Sequence, residues 1–113
     1  MELKEFLEKQ AELDQLIVSK ITDGLVEGNN KMFLSDRITA LIVEVSEFAN
    51  EVETFKYWKM NHRNNREKQL EEYVDIHHFW LSIGNTMEFS SEEIEAAYHK
   101  KYQENIRRHK EGY

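Results

Sequence analysis

Two pairs of acids at three-residue spacing, Glu44 with Glu47 and Glu72 with Asp75, are the residues of this sequence best placed to do chemistry. In "LIVEVSEFANE" (41–51), Glu44, Glu47 and Glu51 run along the edge of an apolar stripe made by Leu41, Val45, Phe48 and Val52. Residues three and four apart are neighbours on a helix, so these acids repel by a few tenths of a kcal/mol per pair. A solvated face is the bland account of any one of them. Lys or Arg at the flanking helical positions would favour that account, yet only Arg37 stands on that side. The stretch "EEYVDIHHFW" (71–80) repeats the pattern. Glu72 shares a helical sector with Ile76, Phe79 and Ile83, which should face the core, and Asp75 lies one turn on, at the edge. An unpaired carboxylate in such a place costs roughly several kcal/mol or shifts its pKa strongly, unless a cation satisfies it. Two such pairs on consecutive helices make an all-oxygen cluster of the kind that holds the hard cations Mg2+ or Mn2+. A di-iron bundle would need repeated Glu-x-x-His motifs, and Asp75-x-x-His78 has no second copy.

The elements that must position these acids are helical. The 113 residues hold no proline and only four glycines, too little punctuation for a many-stranded fold, and charged residues make up 33 %. Apolar periodicity predicts helices from about Leu3 to Ile21, from Ser35 or Asp36 to about Tyr57, from about Arg66 to Asn85, and from Ser90 or Ser91 to about Lys110. Phe6, Leu13, Leu16, Ile17 and Ile21 form the expected inner face of the first. "DGLVEGNN" separates the first pair, and Ser90 or Ser91 with Glu93 forms a helix start. The third predicted helix has apolar residues on nearly every side: Tyr73, Val74, Ile76, Phe79, Trp80, Leu81 and Ile83. Such a helix must be covered on every side. The expectation is one all-α domain over residues 1–113, a bundle of about four main helices completed by homodimerisation.

Composition narrows the function classes. The absence of cysteine excludes disulfides and thiolate metal sites. A net charge of −7 argues against a nucleic-acid polymer as partner, since such binders cluster Lys and Arg over their surface. No apolar run approaches the roughly 20 residues of a membrane span, and "MELKEFLEKQ" lacks a signal-peptide core, so a cytoplasmic protein is expected.

"EVSEFANEVETFKYWK" followed by "LEEYVDIHHFWLSIGN" resembles the dimeric all-α dUTPases of the all-α NTP pyrophosphatase superfamily, which includes MazG-like enzymes. The shared pattern is Glu-x-x-Glu on one helix (Glu44, Glu47) and Glu-x-x-Asp on the next (Glu72, Asp75). Asn50, the Phe55-Lys56-x-Trp58 turn and His78-Phe79 fit the dUTPase branch. So does a C-terminal Lys101, Asn105, Arg108, Gly112 and Tyr113. Gln10 and Asp14 in "EKQAELDQLI" match the first helix that faces the base. Family members often carry extra helices before the C-terminal motif, and His109 stands where Gln is frequent.

The resemblance implies Mg2+-dependent hydrolysis of dUTP to dUMP and pyrophosphate. Glu44, Glu47, Glu72 and Asp75 would hold two or more Mg2+ ions, with Mn2+ as a substitute, and Glu47 would accept the proton of the attacking water. Lys101, Arg108, Lys56 and Tyr113 would bind phosphate. Asn105, Gln10, Asp14, Trp58, His78, Phe79 and Asn50 would line the base and sugar site. On the residues alone, Lys101, Asn105 and Arg108 share one helical face, which an ordinary basic helix also explains, and Trp58 and Phe79 fit core packing equally well. A related pyrophosphatase for dCTP or a modified base, or a non-enzymatic helical interaction module, are the competing readings.

Overall fold

The computed structural model describes residues 1–21 and 33–112, so the predicted break at 23–30 and Tyr113 lie outside the described residues. Four helices follow in chain order: α1 (Leu3–Ile21), α2 (Leu34–Val52), α3 (Arg66–Thr86) and α4 (Ser91–Lys110), with no strand among the described residues. Local chemistry explains their starts. The Asn65 side chain accepts the Lys68 N–H at 3.0 Å at the head of α3. Ser90 and Glu93 make a reciprocal capping box at the head of α4, both bonds 3.1 Å.

One boundary departs from the pattern. α2 stops at Val52, five residues short of the expected Tyr57. Glu53 takes a left-handed conformation (φ 64°), and its N–H bonds back to Ala49 O at 2.8 Å. The apolar residues past this point continue the helical count, but Glu53's carboxylate is drawn to Lys56, Lys59 and Arg63, and the chain turns around it.

α2 and α3 form an antiparallel hairpin. Arg37, early in α2, donates to Thr86 Oγ1 at the end of α3 (2.6 Å), and the Phe48 and Tyr73 rings lie 5.8 Å apart near the other end. α1 crosses α3, with Leu7 O accepting from Asn85 Nδ2 at 2.9 Å and the Phe6 ring edge-on to His77 at 4.9 Å. Among the described helices α4 packs chiefly on α1, and at its start Ile94 joins Leu7 over Gly84 of α3.

The inner face expected for α1 is not buried by this arrangement. Leu13, Leu16, Ile17 and Ile21 are 40 %, 56 %, 48 % and 65 % exposed, because α1 crosses α3 near Leu7 and Gln10 and no other described helix covers its second half. Val45, assigned to the inner stripe of α2, is also exposed, as are Tyr73, Val74 and Trp80 on α3. Among the described residues only Leu7 and Leu81 are buried apolar side chains. The radius of gyration is 17.7 Å, against about 13 Å for a compact chain of this length. Among the described residues no helix is long and apolar enough to cross a membrane.

Candidate metal and nucleotide site

The antiparallel pairing of α2 and α3 brings the two acidic motifs face to face. One carboxylate oxygen each from Glu44, Glu72 and Asp75 lies within 4.8 Å of the others. Glu72 is buried and Glu44 and Asp75 are half-buried. Lys68, one turn earlier on α3, reaches Glu72 Oε1 at 3.2 Å and Glu71 at 3.5 Å. The Glu44 and Glu72 Oε2 atoms are buried with no hydrogen-bond partner. Burial is the largest cause raising the Glu44 pKa above its ordinary 4.5, followed by the charges of Glu47 and Asp75, a side-chain contact with Glu47, and the charge of Glu72. Glu47 itself is exposed and stands outside the three-oxygen grouping, next to Glu44.

This donor set fits a divalent cation. Buried acceptors without donors are costly, and carboxylate oxygens are the ligands that Mg2+ and Mn2+ prefer. Glu44, Glu72 and Asp75 would hold such an ion, with Glu47 next to them.

A second polar group lies between α1 and α3. His78 Nδ1 contacts Gln10 Oε1 at 2.6 Å, Gln10 Nε2 donates to Asp14 Oδ1 at 2.9 Å, and Ser82 Oγ donates to Asp14 Oδ2 at 2.6 Å. The amide oxygen of Gln10 only accepts, so the Nδ1 of His78 carries the proton. Gln10 and Ser82 are buried, and His78 is exposed. The Thr86 hydroxyl donates to Ser82 O at 2.7 Å while accepting from Arg37, which ties this group to the start of α2. Asp75, His78 and Ser82 project from neighbouring sectors of α3. Seven residues separate Asp75 from Ser82, a rise of roughly 10 Å along the helix. Carboxylates and polar network thus form successive stretches along one side of α3.

The remaining predicted residues are placed as follows. Asn50 is exposed, one turn after Glu47, and Phe79 is half-buried, one turn after Asp75. Trp58 is 62 % exposed in the turn after α2, edge-on to Phe55 and Tyr57 at 6.2 and 5.2 Å, so it takes no part in a core. Lys56 Nζ bonds to Glu53 at 3.1 Å. On α4, Lys101 and Arg108 face Glu104 at 3.8 and 2.9 Å, and Asn105 is exposed. Since α4 packs chiefly on α1 and touches α3 only at its start, through Ile94 over Gly84, none of these three is brought to the carboxylates among the described contacts.

A dUTPase family profile matches residues 2–91, which takes in α1, α2, α3 and both acidic motifs. The chain belongs to the dUTPase family. No curated protein and no solved structure matches it. Membership places the chain among the nucleotide hydrolases and accords with an acidic cation cluster. The match ends at Ser91, so the C-terminal residues from Lys101 to Tyr113 lie beyond it.

Sequence reasoning missed three residues at this site. Ser82 stands seven positions after Asp75, and a helical projection would have placed both on one face. Lys68 precedes Glu72 by one turn, a pairing that spacing alone could have shown. Glu53 left no periodic signal, and only the basic residues three and six positions later hinted at its role.

Proposed function

We propose that the protein hydrolyses dUTP to dUMP and pyrophosphate, with Mg2+ held by Glu44, Glu72 and Asp75 and flanked by Glu47. The observation that carries this reading is the pair of buried, partnerless carboxylate oxygens on Glu44 and Glu72, facing each other across two helices of a dUTPase-family chain. Bound Mg2+ supplies neutralisation of phosphate charge and a lowered pKa for water. Glu47 is the exposed member beside the cluster, so its carboxylate is reachable by water and accepts the proton as water attacks phosphorus. The bond from the α-phosphorus to the bridging oxygen breaks and pyrophosphate leaves. General-base help of this kind is worth about 10²–10⁴-fold. Gln10, Asp14, His78 and Ser82 offer fixed donors and acceptors from about 4 to about 10 Å along α3 from Asp75, a range suited to a base whose phosphates sit at the carboxylates. Phe79, Trp58 and Asn50 are the further candidates for base and sugar contact, and Lys56, Lys101, Arg108, Asn105 and Tyr113 for phosphate and uracil contact.

The enzyme acts as a homodimer. Exposed apolar faces on α1, α2, α3 and α4, and an accessible surface of 9041 Å² where a compact monomer of this mass has about 6,500 Å², leave the amount of surface that a permanent dimer covers.

The test is pyrophosphate release from a panel of nucleoside triphosphates, with and without Mg2+. The expected result is Mg2+-dependent release from dUTP, exceeding that from dTTP and dCTP by orders of magnitude. A preference for dCTP or a modified base would move the chain to a sister activity. No release from any nucleotide would leave only an interaction module.

A further inference from the structure

A lysine stands near the start of the helix that carries Glu72 and Asp75, and helix chemistry gives no reason for it. Lys68 lies in the first turn of α3, where the partial positive charge of the helix terminus disfavours a cation. It precedes Glu72 by four residues, the weaker of the two orders for a helical ion pair. Its backbone is fixed, since Asn65 Oδ1 accepts its N–H at 3.0 Å. Its side chain is held more loosely. The ammonium is shared between Glu72 Oε1 at 3.2 Å and Glu71 Oε2 at 3.5 Å, and the side chain is 47 % exposed. Exposed pairs of this kind are weak and readily exchanged for another partner.

The acid it rests on also faces the cluster. Glu72 Oε1 takes Lys68, whereas Glu72 Oε2 is buried with no hydrogen-bond partner. An open cavity of about 380 Å3 borders Lys68 and Asp75 together, and among its lining residues Lys68 alone is basic. Other lysines stand on other acids, Lys56 and Lys59 on Glu53 and Lys101 on Glu104. A positive charge in contact with a ligand of a cation site acts in two opposite ways. It repels a bare divalent ion. It attracts a triphosphate, whose negative charge outweighs that of the ion it carries. Resting on the metal and nucleotide reading above, we propose that Lys68 is a phosphate-contacting residue that lies on Glu72 in the unliganded protein and turns to the phosphates of an arriving metal–nucleotide complex. Its charge makes the site prefer that complex to the free ion.

Calorimetric titration of the full chain with two probes tests this: Mn2+ alone, and the Mn2+ complex of α,β-imido-dUTP, which is not cleaved at that bridge. Lys68→Met removes the charge and keeps most of the side-chain stem. It should tighten binding of Mn2+ alone about three- to tenfold, since a partly screened repulsion is gone. It should weaken binding of the nucleotide complex about tenfold, the loss of a charge-assisted bond. Lys68→Arg keeps the charge and should hold both constants within about threefold of the wild type. Circular dichroism melts establish that both variants are folded. A Lys68→Met protein in which both affinities move the same way overturns the proposal and makes Lys68 a structural partner of Glu72. So does one whose affinity for the nucleotide complex is unchanged. Either result, with a wild type that binds both probes, leaves the metal and nucleotide reading standing. A wild type that takes up no Mn2+ overturns the metal reading and this inference with it. A wild type that binds Mn2+ and not the nucleotide complex overturns the nucleotide reading and, with it, the role of Lys68.

Discussion

Replacing Glu72 by Gln should change stability in opposite directions with and without Mg2+. In the metal-free protein, three carboxylate oxygens lie within 4.8 Å of one another. At an effective dielectric of about 20, each ionised pair at that distance repels by about 3 kcal/mol. Glu44 and Asp75 are only half-buried, so solvent reduces this to about 1 kcal/mol per pair. Glu72→Gln removes the repulsion with both neighbours and gives the partnerless Oε2 position an amide that can donate to them. It also loses the i, i+4 ion pair with the exposed Lys68, a small loss on a solvated helix face. The net expectation is a gain of about 1 kcal/mol, or roughly 4 °C in Tm. With Mg2+ at a hundred times its Kd, the wild type gains about 2.7 kcal/mol, and the variant should gain little of it. Differential scanning fluorimetry at a matched protein concentration reads both arms. If Glu72→Gln is destabilised equally with and without Mg2+, Glu72 exists to pair with Lys68, and the cation site is refuted.

Three other outcomes follow from the same contacts. The folded-state pKa of Glu44 is raised above 4.5, so its contribution to metal-free stability should be fully present below that pH and lost as pH rises through the raised value, a loss that Mg2+ abolishes. Glu53, held down to about 2 chiefly by Lys59 and then by the Arg63 N–H and Lys56 against the opposing effect of burial, contributes stability above 4.5 that is lost between 4.5 and about 2. Urea titrations from about pH 2 to well above the raised Glu44 value, with and without Mg2+, separate the two opposite slopes. Ser82→Ala leaves Asp14 short of a donor in a buried setting, which should cost about 1–2 kcal/mol, or roughly 4–8 °C in Tm. It should also raise KM for dUTP more than it lowers kcat, and an unchanged KM would remove Ser82 from the base site. Ile17→Asp on the exposed face of α1 should shift sedimentation toward the monomer and abolish the rise of Tm with protein concentration expected of a dimer.

Periodicity located the helices well because each carries its own signal. Asn65, Ser90 and Glu93 are local caps, and the structure uses all three. The face-to-face carboxylates were also legible, since Glu44 and Glu72 stand in apolar sectors where an acid is out of place. What spacing could not show was which faces meet. The end of α2 is set by Glu53, whose partners lie three, six and ten residues away in a segment with no period. Leu13, Leu16 and Ile17 have the helical spacing of a core stripe, yet they are exposed in the single chain, because a stripe marks a surface that must be covered and does not say by what. α4 marks the sharper limit. Lys101, Asn105 and Arg108 share one face by arithmetic, and arithmetic is silent on where a helix points. Anchored near its first turn on α1 and on Gly84 of α3, α4 carries that face past no other described helix. Its apolar neighbours Tyr98, Tyr102 and Ile106 are 72 %, 52 % and 41 % exposed along the same length. On the homodimer reading proposed above, a helix with one apolar and one basic stripe exposed along most of its length takes its position from contacts between molecules, and those are written in no local pattern.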